Sequence, residues 1–117
     1  YIQDNKIGTL GNVEIPDFSD CPKLQYLIAY NNNFFSYKSG SFVDLGQVRV
    51  IDFSDNLNLQ QSDMEKMLED LVTNWENSNR SGVTVNLRFC GKQSKLANEE
   101  YIPFLKSKGW SIITDAS

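Results

Sequence analysis

The residues that could carry chemistry in this chain are mostly carboxylates. The phrase Asp-Phe-Ser-Asp occurs at 17–20 and again at 52–55, and a repeated acidic phrase of this kind could bind calcium. The acidic and amide positions that begin at Asp52 lack the glycine and the terminal glutamate of a loop-type calcium site. Aspartate and serine in short phrases are typical of turns. We therefore predict turns here, with no metal and no cofactor.

The other residue types do not favour catalysis. The chain contains no histidine, which excludes histidine base catalysis and histidine-bound zinc. It also lacks a glycine-rich phosphate-binding loop. A carboxylate pair that acts on glycans, such as Asp52 with a neighbouring acid, stays open at this stage. We expect the protein not to be an enzyme.

The composition narrows the class of protein. Hydrophobic residues make up 40% of the 117 residues, with seven Phe, five Tyr and two Trp, which is enough for a continuous core. The net charge is −4 and lysine and arginine form no run, so we expect no nucleic-acid binding. The longest apolar run, at 26–30, is far too short to span a membrane. Because the chain opens on Tyr1 instead of Met, we expect it to be a piece of a larger protein.

One short pattern is written twice in the first half of the chain. When the sequence is shifted by 24 residues, apolar positions fall on apolar positions and an asparagine falls on an asparagine. Each copy reads L-x-x-L-x-L-x-x-N, as Leu24, Leu27, Ala29, Asn32 and then Val48, Ile51, Phe53, Asn56. Repeats of this length and consensus are typical of a leucine-rich solenoid.

Each copy predicts a short strand that ends in a turn. Alternation along the strand sends Leu27 and Ala29, and then Ile51 and Phe53, to the interior. The asparagine side chain can bond to buried backbone groups of the adjacent repeats, so Asn32 and Asn56 are predicted to form a ladder. A third strand at 83–90 places Val85 and Leu87 inside and puts Cys90 in the asparagine position. Cys21 aligns with Leu45 and is predicted to be a small core residue.

The second half of the chain predicts helices. Ser62 and Glu65 have the spacing of a capping box, and an apolar stripe follows that indicates an amphipathic helix from about 63 to 77. A second helix is predicted over Glu99–Lys108, with Asn98 as its N-cap; Pro103 should bend it or delay its start. A last strand follows at 110–114. The segment 33–41 lacks periodicity and predicts an irregular connection that buries Phe34 or Phe35.

If the strands stack in parallel, their outward side chains share one face. These positions are Tyr26, Ile28, Tyr30, Val50, Asp52, Ser54, Thr84, Asn86 and Arg88. Tyrosine and arginine are favoured at binding hot spots, and a column of Tyr26, Ile28 and Tyr30 exposes more apolar area than a solvated sheet needs. We expect this face to contact a protein or a glycan, or to be covered by neighbouring subunits of an oligomeric assembly.

The motifs resemble a known family. Residues 1–60 resemble irregular leucine-rich repeats that read "IPDFS…C..L..L..YNN". Residues 61–114 are similar to the terminal module that follows such repeats in bacterial and bacteriophage proteins. The matching motifs are Asp55-Asn56-Leu57, the stripe from Met64 to Trp75, Gly82-Val83-Thr84-Val85-Asn86-Leu87 and Lys108-Gly109-Trp110.

This resemblance implies a fold and a role. The fold would be an α/β right-handed solenoid with parallel strands on its concave face, made of repeats at 1–60 and a helix-containing cap at 61–117 within one continuous domain. The role would be a non-catalytic recognition or assembly module of a bacteriophage virion protein, such as a tail fibre or a particle decoration. The alternative is a secreted or cell-surface bacterial protein that binds a host molecule.

Overall fold

The computed structural model describes residues 13–15, 17–30, 34–57 and 59–115. Two helical regions and six short strands are present in these ranges. The strands are β1 (Val13–Glu14), β2 (Tyr26–Ile28), β3 (Phe34–Ser36), β4 (Val50–Asp52), β5 (Thr84–Asn86) and β6 (Ser111–Ile113). The helices are α1 (Gln61–Ser78), a π-helix (Ala97–Tyr101) and α2 (Ile102–Ser107), which continues it.

A four-stranded parallel sheet in the order β2-β4-β5-β6 is the centre of the fold. Leu27 pairs with Ile51, Ile51 with Val85, and Val85 with Ile112. The register of β2 and β4 therefore follows the 24-residue shift of the sequence, and the row at the middle of the four strands is buried. The chain is an α/β protein, and the prediction that Leu27, Ile51 and Val85 share one interior is confirmed.

Helix α1 covers the inner side of the sheet. Its stripe buries Met64, Met67, Leu68 and Leu71 almost completely, in one cluster with the sheet residues. Fully burying one such side chain contributes on the order of 1.5–3 kcal/mol. The predicted amphipathic helix is confirmed, and its ends lie close to the predicted 63 and 77.

The start of α1 differs from the prediction. Its N-cap is Gln60, in an extended conformation and without a side-chain capping bond. The Gln60 carbonyl accepts the first bond of the helix, from Met64 N at 3.2 Å. Ser62 therefore lies inside the first turn, and the predicted capping box is wrong. The nearby Asp63 carboxylate bonds outside the helix instead, accepting from Tyr37 N at 3.2 Å.

The second helical region also begins earlier than predicted. The Oγ of Ser94 accepts from Ala97 N at 3.1 Å, which is the bond of an N-cap. Asn98 lies within the π-helix, so its predicted capping role is wrong. Regular α-helix starts only at Ile102, whose amide bonds back to Ala97 O. Pro103 thus falls directly after the π-helix, at the second residue of α2.

The segment between the first two repeats is more regular than predicted. Its residues Phe34–Ser36 form β3, which pairs in parallel with β1 in a second, two-stranded sheet. Phe34 is fully buried and stacks edge-on against Phe53, with ring centroids 5.6 Å apart. The prediction of an irregular connection is therefore wrong for β3, whereas burial of Phe34 is confirmed.

A buried polar network attaches the next segment to α1. The Tyr37 hydroxyl donates to Asp70 Oδ2 at 2.6 Å and accepts from Phe42 N at 2.8 Å. Burial, together with this carboxylate, raises the pKa of Tyr37 far above its usual value. Asn74 Nδ2 donates to the carbonyls of Phe42 and Leu45, each at 3.0 Å. Polar residues on the inner side of α1 therefore bond to buried backbone groups of the segment that precedes the helix.

Asn56 joins consecutive repeats at the end of β4. It is fully buried, and its Nδ2 donates to Ala29 O at 3.1 Å in the preceding repeat and to Phe53 O at 2.7 Å in its own. Its Oδ1 accepts from Phe34 N at 3.3 Å. The predicted bonds of Asn56 to adjacent backbone are confirmed. Asn32 lies outside the described residues.

Cys90 makes the corresponding contact one repeat later. Its thiol donates to Phe53 O at 3.0 Å, and Phe53 aligns with Ala29 in the sequence shift. Burial raises the pKa of Cys90 to about 12, so the thiol keeps its proton and remains a donor at neutral pH. The prediction that Cys90 takes the asparagine position is confirmed.

Cys21 departs from the repeat pattern. It is exposed and free, so its predicted core position is wrong. The physical reason is a tight turn: Cys21 N donates to Phe18 O at 3.0 Å, and Leu24 N donates to Cys21 O at 3.1 Å. This turn carries the side chain outward, whereas the aligned Leu45 is fully buried.

Replacing Asn56 tests this junction. Asn56→Ala removes the amide donor from Ala29 O and Phe53 O and the acceptor of Phe34 N, and loss of such buried hydrogen bonds costs about 1–3 kcal/mol. We expect the free energy of unfolding in a urea titration to fall by that amount. The control is Asn77→Ala, at an exposed position of α1, which should change it by less than about 0.5 kcal/mol. Equal midpoints for the two variants would contradict the role of Asn56.

Candidate interaction surface

The outward side chains of the sheet form two continuous rows. The first row contains Tyr26, Val50, Thr84 and Ser111, and the second contains Ile28, Asp52, Asn86 and Ile113, each set paired in register. Six of the nine predicted positions therefore lie side by side. We call these two rows the outer face.

The outer face is unevenly exposed. Tyr26 at one edge is 41% exposed and Ile113 at the other edge is 39% exposed. The side chains between them are half-buried by their cross-strand neighbours, apart from Ser111, which is exposed. Apolar atoms are therefore accessible at both edges of the sheet and, in part, across it at Ile28 and Val50.

The three remaining predicted positions follow the strands and differ from one another. Tyr30 is half-buried and Arg88 is exposed, but Ser54 is only 9% exposed. The Ser54 hydroxyl donates to Asp52 Oδ1 at 2.7 Å. Ser54 therefore supports the turn and does not offer its hydroxyl at the surface, so its predicted place in the contact face is wrong.

The carboxylates of the repeated Asp-Phe-Ser-Asp phrase serve turns. Asp17 Oδ1 accepts from Ser19 N, and Asp52 Oδ1 accepts from Ser54 N, each at 2.9 Å. Hydrogen bonds to Ser19 and Lys38 lower the pKa of Asp17 to about 2. The predicted turn chemistry is confirmed. Within the described ranges, no three acidic or cysteine side chains converge as a metal site would require.

Asp52 has no acidic partner in its row. Its cross-strand neighbours are Ile28 on β2 and Asn86 on β5. Asn86 repeats the same turn, since its Oδ1 accepts from Arg88 N at 3.0 Å. The two polar side chains of the second row, Asp52 and Asn86, are thus oriented by their own turns. The row can offer hydrogen bonds to a partner, but it contains no pair of carboxylates.

An arginine and an aromatic side chain project where β5 ends. Phe89 is 51% exposed, and the Arg88 guanidinium lies 5.0 Å from the centre of its ring. Phe89 has a φ of +62°, a left-handed conformation that bulky residues rarely adopt. The Asp115 carboxylate holds this turn by accepting from Phe89 N at 2.8 Å and from Gly91 N at 2.9 Å. We call this feature the Arg88–Phe89 edge.

Sequence reasoning missed three residues of this surface. Ser111 and Ile113 could have been found, because they alternate with the buried Trp110 and Ile112 in the last strand. Phe89 could not, because a strand alternation that buries Val85 and Leu87 would also bury Phe89. Only the left-handed turn at that position sends the ring outward.

Comparisons with protein-family models, with curated proteins and with solved structures found no match to this chain. The function of the surface therefore has to be argued from its own geometry. A search of the described helices found none that combines the length and the apolar character needed to cross a membrane.

Two substitutions at Phe89 test the left-handed turn. Phe89→Gly and Phe89→Ala both remove the ring. Glycine adopts a positive φ without strain, whereas this conformation costs other residues roughly 1–2 kcal/mol. We expect the glycine variant to be the more stable of the two by about 1 kcal/mol in urea unfolding. At a position with ordinary φ the order is reversed, so a more stable alanine variant would contradict the turn.

Proposed function

We propose that this chain is a non-catalytic interaction domain that binds a protein partner through its outer face and the Arg88–Phe89 edge. The observation that carries the proposal is the register of the parallel sheet. It aligns Tyr26, Ile28, Val50 and Ile113 on one side of the sheet, while α1 covers the other side.

The chemistry of this surface favours a protein over a glycan. Its most exposed side chains, Tyr26 and Ile113, are aromatic and aliphatic and lie at the two edges of the sheet, and its charged groups, Asp52 and Arg88, lie toward the end of the strands. Tyrosine, phenylalanine and arginine are enriched in protein interfaces. Asp52 and Asn86 each use an oxygen in their own turn, which reduces the hydrogen bonds that they can offer to a glycan.

The size of the surface indicates how much of the chain takes part. Four strands spaced about 4.8 Å apart, each three residues long, offer a face of only about 15 by 10 Å. A stable interface buries about 800 Å² on each partner. The partner therefore has to extend beyond the two rows, and the exposed ring of Phe89 with Arg88 is the adjacent feature suited to it.

We extend the proposal to the architecture and the location. The register of the repeats and the junctions at Asn56 and Cys90 support a right-handed leucine-rich solenoid with the outer face as its concave side, repeats at 1–60 and a cap at 61–117. The resemblance of 61–114 to a terminal module supports a place in a bacteriophage virion protein that forms part of an oligomeric assembly. A secreted or cell-surface bacterial protein is the alternative, and an upstream signal peptide would favour it.

The test compares two exposed aliphatic positions. Ile113 on the outer face and Leu96 on the helical side are almost equally exposed, at 39% and 38%. We expect the double variant Tyr26→Ala, Ile113→Ala to lose at least thirtyfold in partner affinity, as removal of two interface anchors predicts, whereas Leu96→Ala keeps it. Binding is measured by pull-down from the native particle or culture fraction with quantitative mass spectrometry.

Three results would each change a different part of the proposal. Equal recovery of one partner by the double variant and by Leu96→Ala would contradict the proposed surface. Binding on a glycan array that the double variant loses would keep the surface and replace the protein partner with a glycan. Hydrolysis of an arrayed glycan would contradict the non-catalytic role.

A further inference from the structure

A cleft lies at the opposite end of the sheet from the Arg88–Phe89 edge. Its volume is about 440 Å³, and it is lined by Val48, Arg49, Arg80, Ser81 and Gly82. These residues come just before β4 and just before β5, so the cleft opens where the two central strands begin. Two of the chain's three arginines meet here, although the chain as a whole carries a net charge of −4.

Arg80 is held in place by carbonyl groups and not by an acid. Its Nη1 donates to Val48 O at 2.6 Å, and its Nη2 donates to Leu45 O at 3.2 Å. The Trp110 indole donates to Arg80 O at 2.8 Å and fixes the backbone. The Nε of Arg80 is buried and has no hydrogen-bond partner among the described residues. The guanidinium thus keeps its full charge at the wall of the cleft.

Arg49 adds a second positive charge, for which the described part of the chain shows no ion pair. Its side chain is exposed, and the one ion pair found among the described residues, between Lys38 and Asp17, does not involve either arginine. Burial lowers the pKa of Arg80, and the nearby charge of Arg49 lowers it further. Two like charges in one cleft destabilise the unoccupied site, and an anion bound between them would remove that repulsion.

We propose that this cleft binds a dianionic oxyanion group, a sulfate or a phosphate. Two positive charges match a dianion better than a single carboxylate does, and guanidinium groups form short charge-assisted hydrogen bonds with such oxygens. The cleft falls within the range of small-ligand sites, about 300–1,000 Å³, so the group can be a free ion or an ester on a sugar. This site lies apart from the outer face and does not depend on the proposed function.

The experiment is an NMR titration of the ¹⁵N-labelled chain at constant ionic strength. Inorganic sulfate, inorganic phosphate and acetate are added separately, and the backbone amides of Ser81 and Gly82 are followed with the Arg80 Nε–Hε signal. We expect saturable shifts with sulfate and phosphate and at least tenfold weaker binding of acetate. Glucose 6-sulfate and glucose 6-phosphate are titrated in the same way. If these sugar esters bind more tightly than the inorganic ions, the natural ligand is an ester on a sugar; if they bind equally, it is the free ion.

The variants separate the site from general charge effects. Arg49→Gln changes an exposed side chain and leaves the carbonyl bonds of Arg80 intact, so the fold is retained. It should weaken sulfate binding about tenfold, the loss expected for one hydrogen bond to a charged group. Lys66→Gln, which removes one exposed positive charge from α1, is the control and should leave sulfate binding unchanged. No saturable shift with either dianion, acetate binding as tight as sulfate, or full binding by Arg49→Gln would overturn the proposal.

Discussion

The fold depends on how the buried backbone is satisfied where each central strand ends. The chain turns sharply there, and the carbonyls of Ala29 and Phe53 face a neighbouring repeat from which water is excluded. Leaving such a group unpaired would cost about 1–3 kcal/mol, roughly twice the net free energy that one hydrogen bond contributes. Asn56 bonds to both carbonyls, and the Cys90 thiol bonds to Phe53 O from the next repeat. These contacts hold successive strands in one register, which in turn decides which side chains face outward.

The register was the most predictable part of the structure. A 24-residue shift aligned Leu27 with Ile51, and alternation predicted correctly that both lie inside. The apolar stripe of α1 was equally clear, because its spacing fits a helix and no other element. These features are encoded by many residues that agree with one another, so a single exception does not change the result.

The parts that could not be predicted depend on contacts between distant residues. Ser62 and Glu65 have the spacing of a capping box, yet Asp63 bonds to Tyr37 and the helix starts at Gln61. Cys21 aligns with Leu45, but a local turn carries it to the surface. Strand β3 exists because β1 pairs with it, and short pairings of this kind leave little pattern in the sequence. Phe89 is exposed because of one left-handed residue, which side-chain type does not reveal.

Two regions at opposite ends of the same sheet emerge from this arrangement. One extends over the outer face to the Arg88–Phe89 edge and exposes apolar side chains at both edges of the sheet, and the other is a cleft with two arginines. The outer face is built from strand residues, whereas the cleft and the Arg88–Phe89 edge are built from residues that flank the strands, where side chains are free to differ. A rigid parallel sheet can thus carry a contact surface and a charged cleft without conflict between them.

Hydroxyl-radical footprinting of the chain alone and of the chain in complex with its captured partner measures directly, residue by residue, whether the outer face is covered. If a partner covers that face, oxidation of Tyr26, Ile113 and Phe89 falls severalfold in the complex, while that of Leu96 is unchanged. Unchanged oxidation of Tyr26 and Ile113, with protection of Leu96 instead, would show that the partner does not bind the outer face.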